Sequence, residues 1–261
     1  MTAAVQLNVQ DGVGVVTLSR PETGNAVTQE VADGLLATAL ACESDDKVRS
    51  VLLTAQGKAF CVGGDVKAFA EAGDAMPALV RRLTASLHMA VARLARMDKP
   101  LVTAVNGAAA GAGLGLAVLG DVVLAARSAK FTAAYGALGL TPDAGATWLL
   151  SRLVGHRQAQ RLLLLNERID AVEAERIGLI TQVIEDDALA DEALERASRL
   201  AKCPRRAFSR TRTLLHAAMT NGLETQLELE AQSIAEAAGS REGHEGVAAF
   251  VSRRAADFGS I

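Results

Sequence analysis

The sequence contains few cysteines, and none of them stands in a pattern that builds a disulfide framework or a metal site. Cys42, Cys61 and Cys203 are the only three in 261 residues, and each is far from the others. Closely paired cysteines are typical of secreted or metal-binding domains, whereas unpaired thiols are typical of reducing compartments. We interpret Cys61 as a small buried hydrophobe rather than a nucleophile. The first residues also lack the basic and apolar stretches of a signal peptide, so we expect a cytoplasmic protein without a metal.

Aromatic residues and an excess of positive charge are also missing. Only 3% of the residues are aromatic, with a single Trp148 that is most simply a core residue, and the net charge is −3. The core must therefore be filled by Ala, Val and Leu, and we expect no nucleic-acid partner. The one long apolar stretch, residues 101–119, is interrupted by Asn106 and four glycines. A strand, a turn and a buried helix explain it better than a membrane span does, so no membrane partner is predicted.

The apolar pattern predicts strands that alternate with helices, followed by helices alone. β-branched runs predict strands at residues 13–18, 48–54, 101–105, 122–125 and 179–183. Helical spacing of apolar residues predicts helices after Thr28 and at 77–97, 188–201, 205–219, 222–238 and 241–256, with a short helix and a glycine-containing link over 66–74. This order favours an α/β core over residues 1–200 and a helical C-terminal region over residues 201–261. The last helix carries apolar residues that we expect to pack against a neighbouring subunit.

Two glycine-rich segments, about fifty residues apart, are the most informative feature of the chain. Residues 60–65 (Phe-Cys-Val-Gly-Gly-Asp) and 106–113 (Asn-Gly-Ala-Ala-Ala-Gly-Ala-Gly) each follow an apolar run and precede a predicted helix. Glycine lets the backbone turn sharply and lets a ligand approach main-chain N–H groups. Two such turns facing each other would offer two donors to an oxyanion. The alternative is that both turns serve close packing only.

With these segments, the chain resembles the enoyl-CoA hydratase/isomerase (crotonase) superfamily along nearly its whole length. The motifs that carry the resemblance are residues 17–22, 25–26, 59–67, 99–107, 139–145, 173–180 and 245–250, together with Asp121. The resemblance implies an α/β fold made of a crotonase-type spiral of ββα turns, with a C-terminal helical region that serves trimerisation. A homotrimer or a dimer of trimers is therefore expected. The substrate would be an acyl-CoA thioester, with CoA arriving as part of it and no separate cofactor.

By resemblance, the backbone N–H groups of Gly64 and Ala112 hold the thioester oxygen while an enolate forms. Hydratases of the family carry two glutamates at the positions of Gly115 and Tyr135, so ordinary hydration is in doubt here. Asp143, in a Gly-Leu-Thr-Pro-Asp-Ala-Gly pattern, stands where some enoyl-CoA isomerases, including ring isomerases of phenylacetate breakdown, place their acid/base. The resemblance therefore favours a double-bond shift, from Δ3 to Δ2 or within a ring, with Asp143 moving the proton.

Asp143 and His88 also have other interpretations. Asp143 follows a proline and could cap the helix predicted at 144–153. Chlorobenzoyl-CoA dehalogenases of the same superfamily carry a nucleophilic aspartate at this position, a histidine at the position of His88 and a tryptophan at that of Tyr135, which would make His88 catalytic. Taken alone, His88 is a packing residue beside the apolar stripe of its helix. An enoyl-CoA hydratase with non-standard residues, or a non-catalytic acyl-CoA-binding protein, would also fit the missing glutamates.

The residues that would bind CoA follow from the resemblance alone. They are the loop around Arg20, the backbone from Gly63 to Asp65, Lys67, and Arg253 in the last predicted helix. Asp65 directly precedes a predicted helix, so we expect it to cap that helix as well. The alternative for Arg253 is a solvated charge beside another arginine.

Overall fold

The β-branched and aliphatic runs of the sequence form two sheets. The computed structural model describes residues 3–259, and these residues contain ten strands. They are β1 (Val5–Gln10), β2 (Val13–Leu18), β3 (Ser50–Ala55), β4 (Ala59–Cys61), β5 (Leu101–Val105), β6 (Ala108–Ala110), β7 (Val122–Ala126), β8 (Lys130–Thr132), β9 (Ile169–Asp170) and β10 (Gln182–Ile184). One sheet has six strands in the order β1-β2-β3-β5-β7-β10, and the other has four in the order β4-β6-β8-β9.

Eleven α-helices accompany the strands in the same part of the chain. The first seven are α1 (Gln29–Ser44), α2 (Val66–Ala72), α3 (Met76–Arg96), α4 (Ala112–Ala117), α5 (Ala146–Leu153), α6 (Gly155–Leu164) and α7 (Ala171–Arg176). The last four are α8 (Leu189–Ala201), α9 (Arg205–Ala218), α10 (Leu223–Ala238) and α11 (Arg241–Val251). None of the helices within residues 3–259 is both long enough and apolar enough to cross a membrane.

Successive turns of the chain give one strand to each sheet and then a helix. The pairs β3 and β4, β5 and β6, and β7 and β8 are followed by α2, α4 and α5. Neighbouring strands from β2 to β10 in the larger sheet are parallel. The expected α/β class and spiral of ββα turns are therefore confirmed, and helices alone follow β10 in the described residues.

Most predicted elements are confirmed to within a few residues. The helix predicted after Thr28 is α1, and the Thr28 hydroxyl accepts a hydrogen bond from the Val31 N–H as its cap. The prediction for the last helix was wrong at its end, because α11 stops at Val251 and the chain turns at Arg253, where φ is 53°. Strand β1 was missed, although its sequence VQLNVQ alternates apolar and polar residues as a half-buried strand does.

The strands of the smaller sheet were also missed, and they are the ones that place the glycine segments. Three of them have three residues each and β9 has two, which is too short for a period-two pattern. β4 and β6 are parallel, with Ala59 opposite Ala108 and Cys61 opposite Ala109. Because parallel strands end at the same edge of a sheet, the two glycine segments leave it side by side.

Arg212 connects the C-terminal helices to the core. Its buried guanidinium, carried by α9, donates hydrogen bonds to four main-chain carbonyls at the end of α3 and just beyond it. These belong to Leu94, Ala95, Met97 and Lys99. Its Nε also donates to Asp121 Oδ1 at 2.7 Å, and Asp121 in turn accepts from the Leu101 N–H. The C-terminal region is thus attached to the core through the buried guanidinium of Arg212, which donates hydrogen bonds to Asp121 and to main-chain carbonyls.

The last helix keeps apolar side chains at the surface, as the sequence indicates. Val247, Phe250 and Val251 of α11 are all exposed. That a neighbouring subunit covers them stays a prediction. The division of the chain into domains at residue 200 also stays a prediction, and this residue lies in the last turn of α8.

Replacing Arg212 by alanine is expected to lower the free energy of unfolding by about 3 kcal/mol, because Asp121 and the four carbonyls lose their donor at a buried position. Urea unfolding measures this loss. Arg210→Ala is the control, since Arg210 lies on the same helix but pairs with Glu236 at the surface. That variant is expected to lose no more than about 1 kcal/mol. Equal losses for the two variants would contradict the role given to Arg212.

Candidate active site

The two glycine segments touch where they leave β4 and β6. Gly63 has a φ of 96° and Gly111 a φ of 54°, in the region that glycine adopts most readily. A Cβ at Gly63 would lie 2.9 Å from the carbonyl oxygen of Ala110, and one at Gly111 would lie 3.4 Å from the Gly63 Cα. Main chain therefore meets main chain at this point, and the two turns lie against each other, as the sequence suggests.

Each turn presents a backbone N–H group that finds no acceptor in the described part of the chain. Within residues 3–259, neither the Gly64 N–H nor the Ala112 N–H donates to a protein group. Ala112 is buried and Gly64 is half-buried. Buried N–H groups are nearly always paired in folded proteins, so two unpaired donors on touching turns suit the oxygen of a ligand. The oxyanion role of Gly64 and Ala112 stays a prediction with a geometry that fits it.

Asp143 lies on a tight turn just before α5, and its side chain is 26% exposed. The next residue, Ala144, has a φ of 49°, which is unusual for a residue with a Cβ. Helix α5 begins at Ala146 with Gly145 at its cap position, and no side chain caps it. The interpretation of Asp143 as a helix cap is therefore wrong, and its carboxylate makes a different contact.

That contact is a hydrogen bond from Tyr135. The Tyr135 hydroxyl donates to Asp143 Oδ1 at 2.6 Å. Burial raises the pKa of Tyr135, and the charge of Asp143 raises it further, so the phenol remains a neutral donor. Burial also raises the pKa of the Cys61 thiol to about 12, with a smaller contribution from the charge of Asp143. Cys61 is buried, as the sequence predicts, and the charge of Asp143 is part of the electrostatic environment of its thiol.

His88, on α3, lies beside the same turn. Its Nε2 accepts a hydrogen bond from the Ala144 N–H at 3.2 Å and lies 4.0 Å from Asp143 Oδ2. In this contact Nε2 acts as the acceptor for a main-chain donor. Because the side chain is 51% exposed, His88 is not a packing residue. The structure thus brings together His88, Tyr135 and Asp143.

Neither of the two positions at which hydratases of the family would carry glutamates holds a carboxylate. A Cβ at Gly115 would lie 2.5 Å from the carbonyl oxygen of Ala144 and 3.0 Å from its Cβ. The turn that presents Asp143 therefore occupies the space of any side chain at Gly115. At the second position, the phenol of Tyr135 is buried and bonded to Asp143. Asp143 is the carboxylate that this site offers.

The residues predicted to contact CoA lie on separate segments. Gly63, Asp65 and Lys67 share the first glycine segment and the start of α2. Asp65 accepts hydrogen bonds from the N–H groups of Lys67 and Ala68, so its capping role is confirmed. Arg20 is paired with Glu22 and Glu30 near the surface, and Arg253 is exposed just after α11. Their contacts with CoA stay predictions.

Trp148 was expected in the core, but it is 42% exposed. Helix α5 buries Ala146 and Leu150, and a residue midway between them points away from that face. The Arg152 guanidinium lies 4.1 Å from the centre of the Trp148 ring, and the His216 ring is 5.8 Å away. These side chains line a cavity of about 600 Å³ between α3, α5 and α9.

Comparison with known proteins identifies relatives along almost the whole chain. The family model for enoyl-CoA hydratase/isomerase matches residues 8–260. The chain is 41% identical over 253 residues to the 1,2-epoxyphenylacetyl-CoA isomerase of Escherichia coli (strain K12), which covers 96% of each chain. It is 33% identical over 249 residues to the 2,3-dehydroadipyl-CoA hydratase of the same organism, covering 95% of this chain and 96% of the relative. The solved structure of an enoyl-CoA hydratase from Polaromonas sp. JS666 has a TM-score of 0.93 at 32% identity and covers 97% of this chain and 98% of that one.

Gly115→Ala is expected to lower the free energy of unfolding by about 1–2 kcal/mol, because the overlap with Ala144 outweighs the roughly 1 kcal/mol that alanine gives to a helix. Thermal or urea unfolding measures it. Gly136→Ala is the matched control, since no atom lies within 4 Å of a Cβ built there. Its stability is expected to change by less than about 0.5 kcal/mol. A Gly115 variant as stable as the control would show that the turn does not fill this space.

Proposed function

Because this chain belongs to the enoyl-CoA hydratase/isomerase family, we propose that it moves a double bond within an acyl-CoA thioester, with Asp143 carrying the proton. The observation that carries the proposal is one carboxylate close to two unpaired backbone donors. The turn that carries Asp143 packs on Gly115 of α4, the helix that begins at Ala112, and the donors are the N–H groups of Gly64 and Ala112 on the touching turns.

In the proposed reaction, the carbonyl oxygen of a 3-enoyl-CoA thioester accepts hydrogen bonds from Gly64 and Ala112. The carboxylate of Asp143 removes a proton from C2, and the electrons of the C–H bond move into the thioester to form a dienolate with its charge on that oxygen. The carboxyl group then returns the proton to C4, and the double bond settles between C2 and C3. No atom is gained or lost, so the reaction needs neither water nor an oxidant.

Two fixed donors favour this path because charge develops on an oxygen that they already face. Losing one such donor typically costs about 3–4 kcal/mol of transition-state stabilisation. A positioned acid/base contributes about 10²–10⁴-fold in rate. A single carboxylate is enough for isomerisation, since the group that takes the proton also gives it back.

Hydration is disfavoured because a water must be activated and a carbon protonated, for which hydratases of the family use two glutamates. Gly115 leaves no space for a side chain, and Tyr135 is a buried phenol with a raised pKa. The E. coli relative at 41% identity is named for isomerisation of a ring-bearing thioester, 1,2-epoxyphenylacetyl-CoA. The relative named as a 2,3-dehydroadipyl-CoA hydratase is less similar, at 33%. Two relatives named as probable enoyl-CoA hydratases are 38% and 39% identical, so the preference for isomerisation rests on the residues of the site. The name of the isomerase makes a cyclic acyl group a candidate alongside a linear one.

The remaining features of the proposed enzyme follow from the family and the surface. CoA would enter as part of the substrate, without a separate cofactor, and would contact Arg20, the backbone from Gly63 to Asp65, Lys67 and Arg253. The exposed apolar side chains of α11 support a homotrimer or a dimer of trimers. The three free cysteines of the chain support a reducing, cytoplasmic setting.

Asp143→Asn is expected to lower kcat for conversion of a 3-enoyl-CoA to the 2-enoyl-CoA by about 10²–10⁴-fold, because the amide cannot take the proton. The reaction is monitored by the absorbance of the conjugated 2-enoyl thioester. Asp74→Asn, which changes an exposed carboxylate between α2 and α3, is the control and is expected to keep the wild-type kcat.

Several outcomes would contradict the proposal. An unchanged kcat in the Asp143 variant would mean that another group is the base. Rapid hydration of crotonyl-CoA by the wild type would replace isomerisation by hydration. Halide release from a haloaryl-CoA would make Asp143 a nucleophile, and binding of linear and cyclic enoyl-CoA without turnover would leave a binding protein.

A further inference from the structure

We propose that Tyr135 is a positioning residue that holds Asp143 Oδ1 and leaves Oδ2 as the oxygen that exchanges the proton with substrate. This inference rests on the proposed function, since it assigns the two oxygens of the proposed base to different tasks. It gives Tyr135 a role in place of the carboxylate that the family's hydratases carry at this position.

The two oxygens of Asp143 have different surroundings. Oδ1 accepts the Tyr135 hydroxyl at 2.6 Å, a short and well-formed hydrogen bond. Oδ2 receives no hydrogen bond from the described residues. The titratable group beside it is the His88 imidazole, whose Nε2 lies 4.0 Å away. That nitrogen already accepts from the Ala144 N–H, so it has no proton to give to Oδ2. Oδ2 is therefore the oxygen left for a substrate proton.

Main-chain hydrogen bonds before and after Tyr135 hold this residue in place. Its carbonyl accepts hydrogen bonds from the N–H groups of Leu138 and Leu140, at 2.9 and 3.1 Å. The N–H of the preceding residue, Ala134, donates to Asn166 Oδ1 at 2.6 Å. The ring is buried, so the hydroxyl has little freedom to leave Asp143. A donor fixed in this way orients the carboxylate plane before substrate arrives.

The direction of this hydrogen bond suits a base. A phenol that stays neutral can only donate to a carboxylate, and the bond is stronger when the acceptor is ionised. Tyr135 therefore favours the form of Asp143 that can remove a proton. When Oδ2 has taken the proton, Oδ1 can still accept from Tyr135, so the carboxyl group keeps its orientation for the second transfer.

Tyr135→Phe removes the hydroxyl and keeps the ring. We expect kcat for 3-enoyl-CoA isomerisation to fall by roughly 10- to 100-fold, with KM changing by less than about 3-fold, since hydrogen bonds to charged groups are worth that much. Without its donor the ionised carboxylate is less favoured, so it is protonated at a higher pH. The acidic limb of the kcat/KM profile should therefore move to higher pH.

Ser50→Ala is the matched control, because it deletes another buried hydroxyl that donates a hydrogen bond, here to the Ala197 carbonyl at 2.7 Å. It is expected to lower the melting temperature without moving the acidic limb. A Tyr135→Phe variant with wild-type kcat and an unmoved acidic limb would overturn the inference. So would a variant whose kcat loss is matched by the Ser50 control.

A second readout tests the contact without any turnover. Tyr135 is the only tyrosine of the chain, so protein labelled with [¹³Cζ]tyrosine gives a single tyrosine resonance. In the wild type this resonance should shift as Asp143 is protonated at low pH, and in Asp143→Ala the shift should vanish. The same titration in both proteins would overturn the inference. If the wild type fails to isomerise while the resonance responds as expected, the proposed function falls and the Tyr135–Asp143 bond stands.

Discussion

The contact of main chain with main chain at the ends of β4 and β6 is the constraint on which the site depends. A Cβ at Gly113 would lie 2.1 Å from the Cys61 carbonyl oxygen, and one at Gly63 would lie 2.9 Å from that of Ala110. No side chain fits between the segments, so the strands end at a spacing set by backbone atoms alone. The distance between the strand ends therefore also determines where the N–H groups of Gly64 and Ala112 lie. Donors held this way need no rearrangement when charge appears on a bound oxygen.

The packing around Asp143 and Gly115 favours isomerisation and disfavours hydration. The Ala144 carbonyl lies where a side chain at Gly115 would begin, and the Tyr135 hydroxyl occupies Asp143 Oδ1. The turn that carries Asp143 therefore fills the space that a glutamate at position 115 would need. A glutamate at position 115 and the present turn cannot share the volume, because interiors are too closely packed to absorb such an overlap.

The sequence predicts those parts of the fold whose signals are local. The central strands of the larger sheet are long apolar runs, and α1 begins at a recognisable Thr28 cap, so both could be identified. The strands of the smaller sheet have two or three residues and carry no period of their own. The importance of Asp143 came from a family pattern, whereas its hydrogen bond with Tyr135 could not be predicted. That bond depends on the turn at Ala144, whose positive φ has no signature in an alanine. The only tyrosine, eight residues before Asp143, was the available hint.

The attachment of Arg212 has a consequence for how the parts of the molecule communicate. Helix α3 carries His88 near its middle and offers its last carbonyls to Arg212 at its end. The axis of α3 is thus fixed from outside the sheet by a residue more than a hundred positions later in the chain. Helix α9 thereby holds the end of the helix that carries His88. A nascent chain that ends at residue 200 therefore contains Gly64, Ala112 and Asp143 but not the arginine that holds the end of α3.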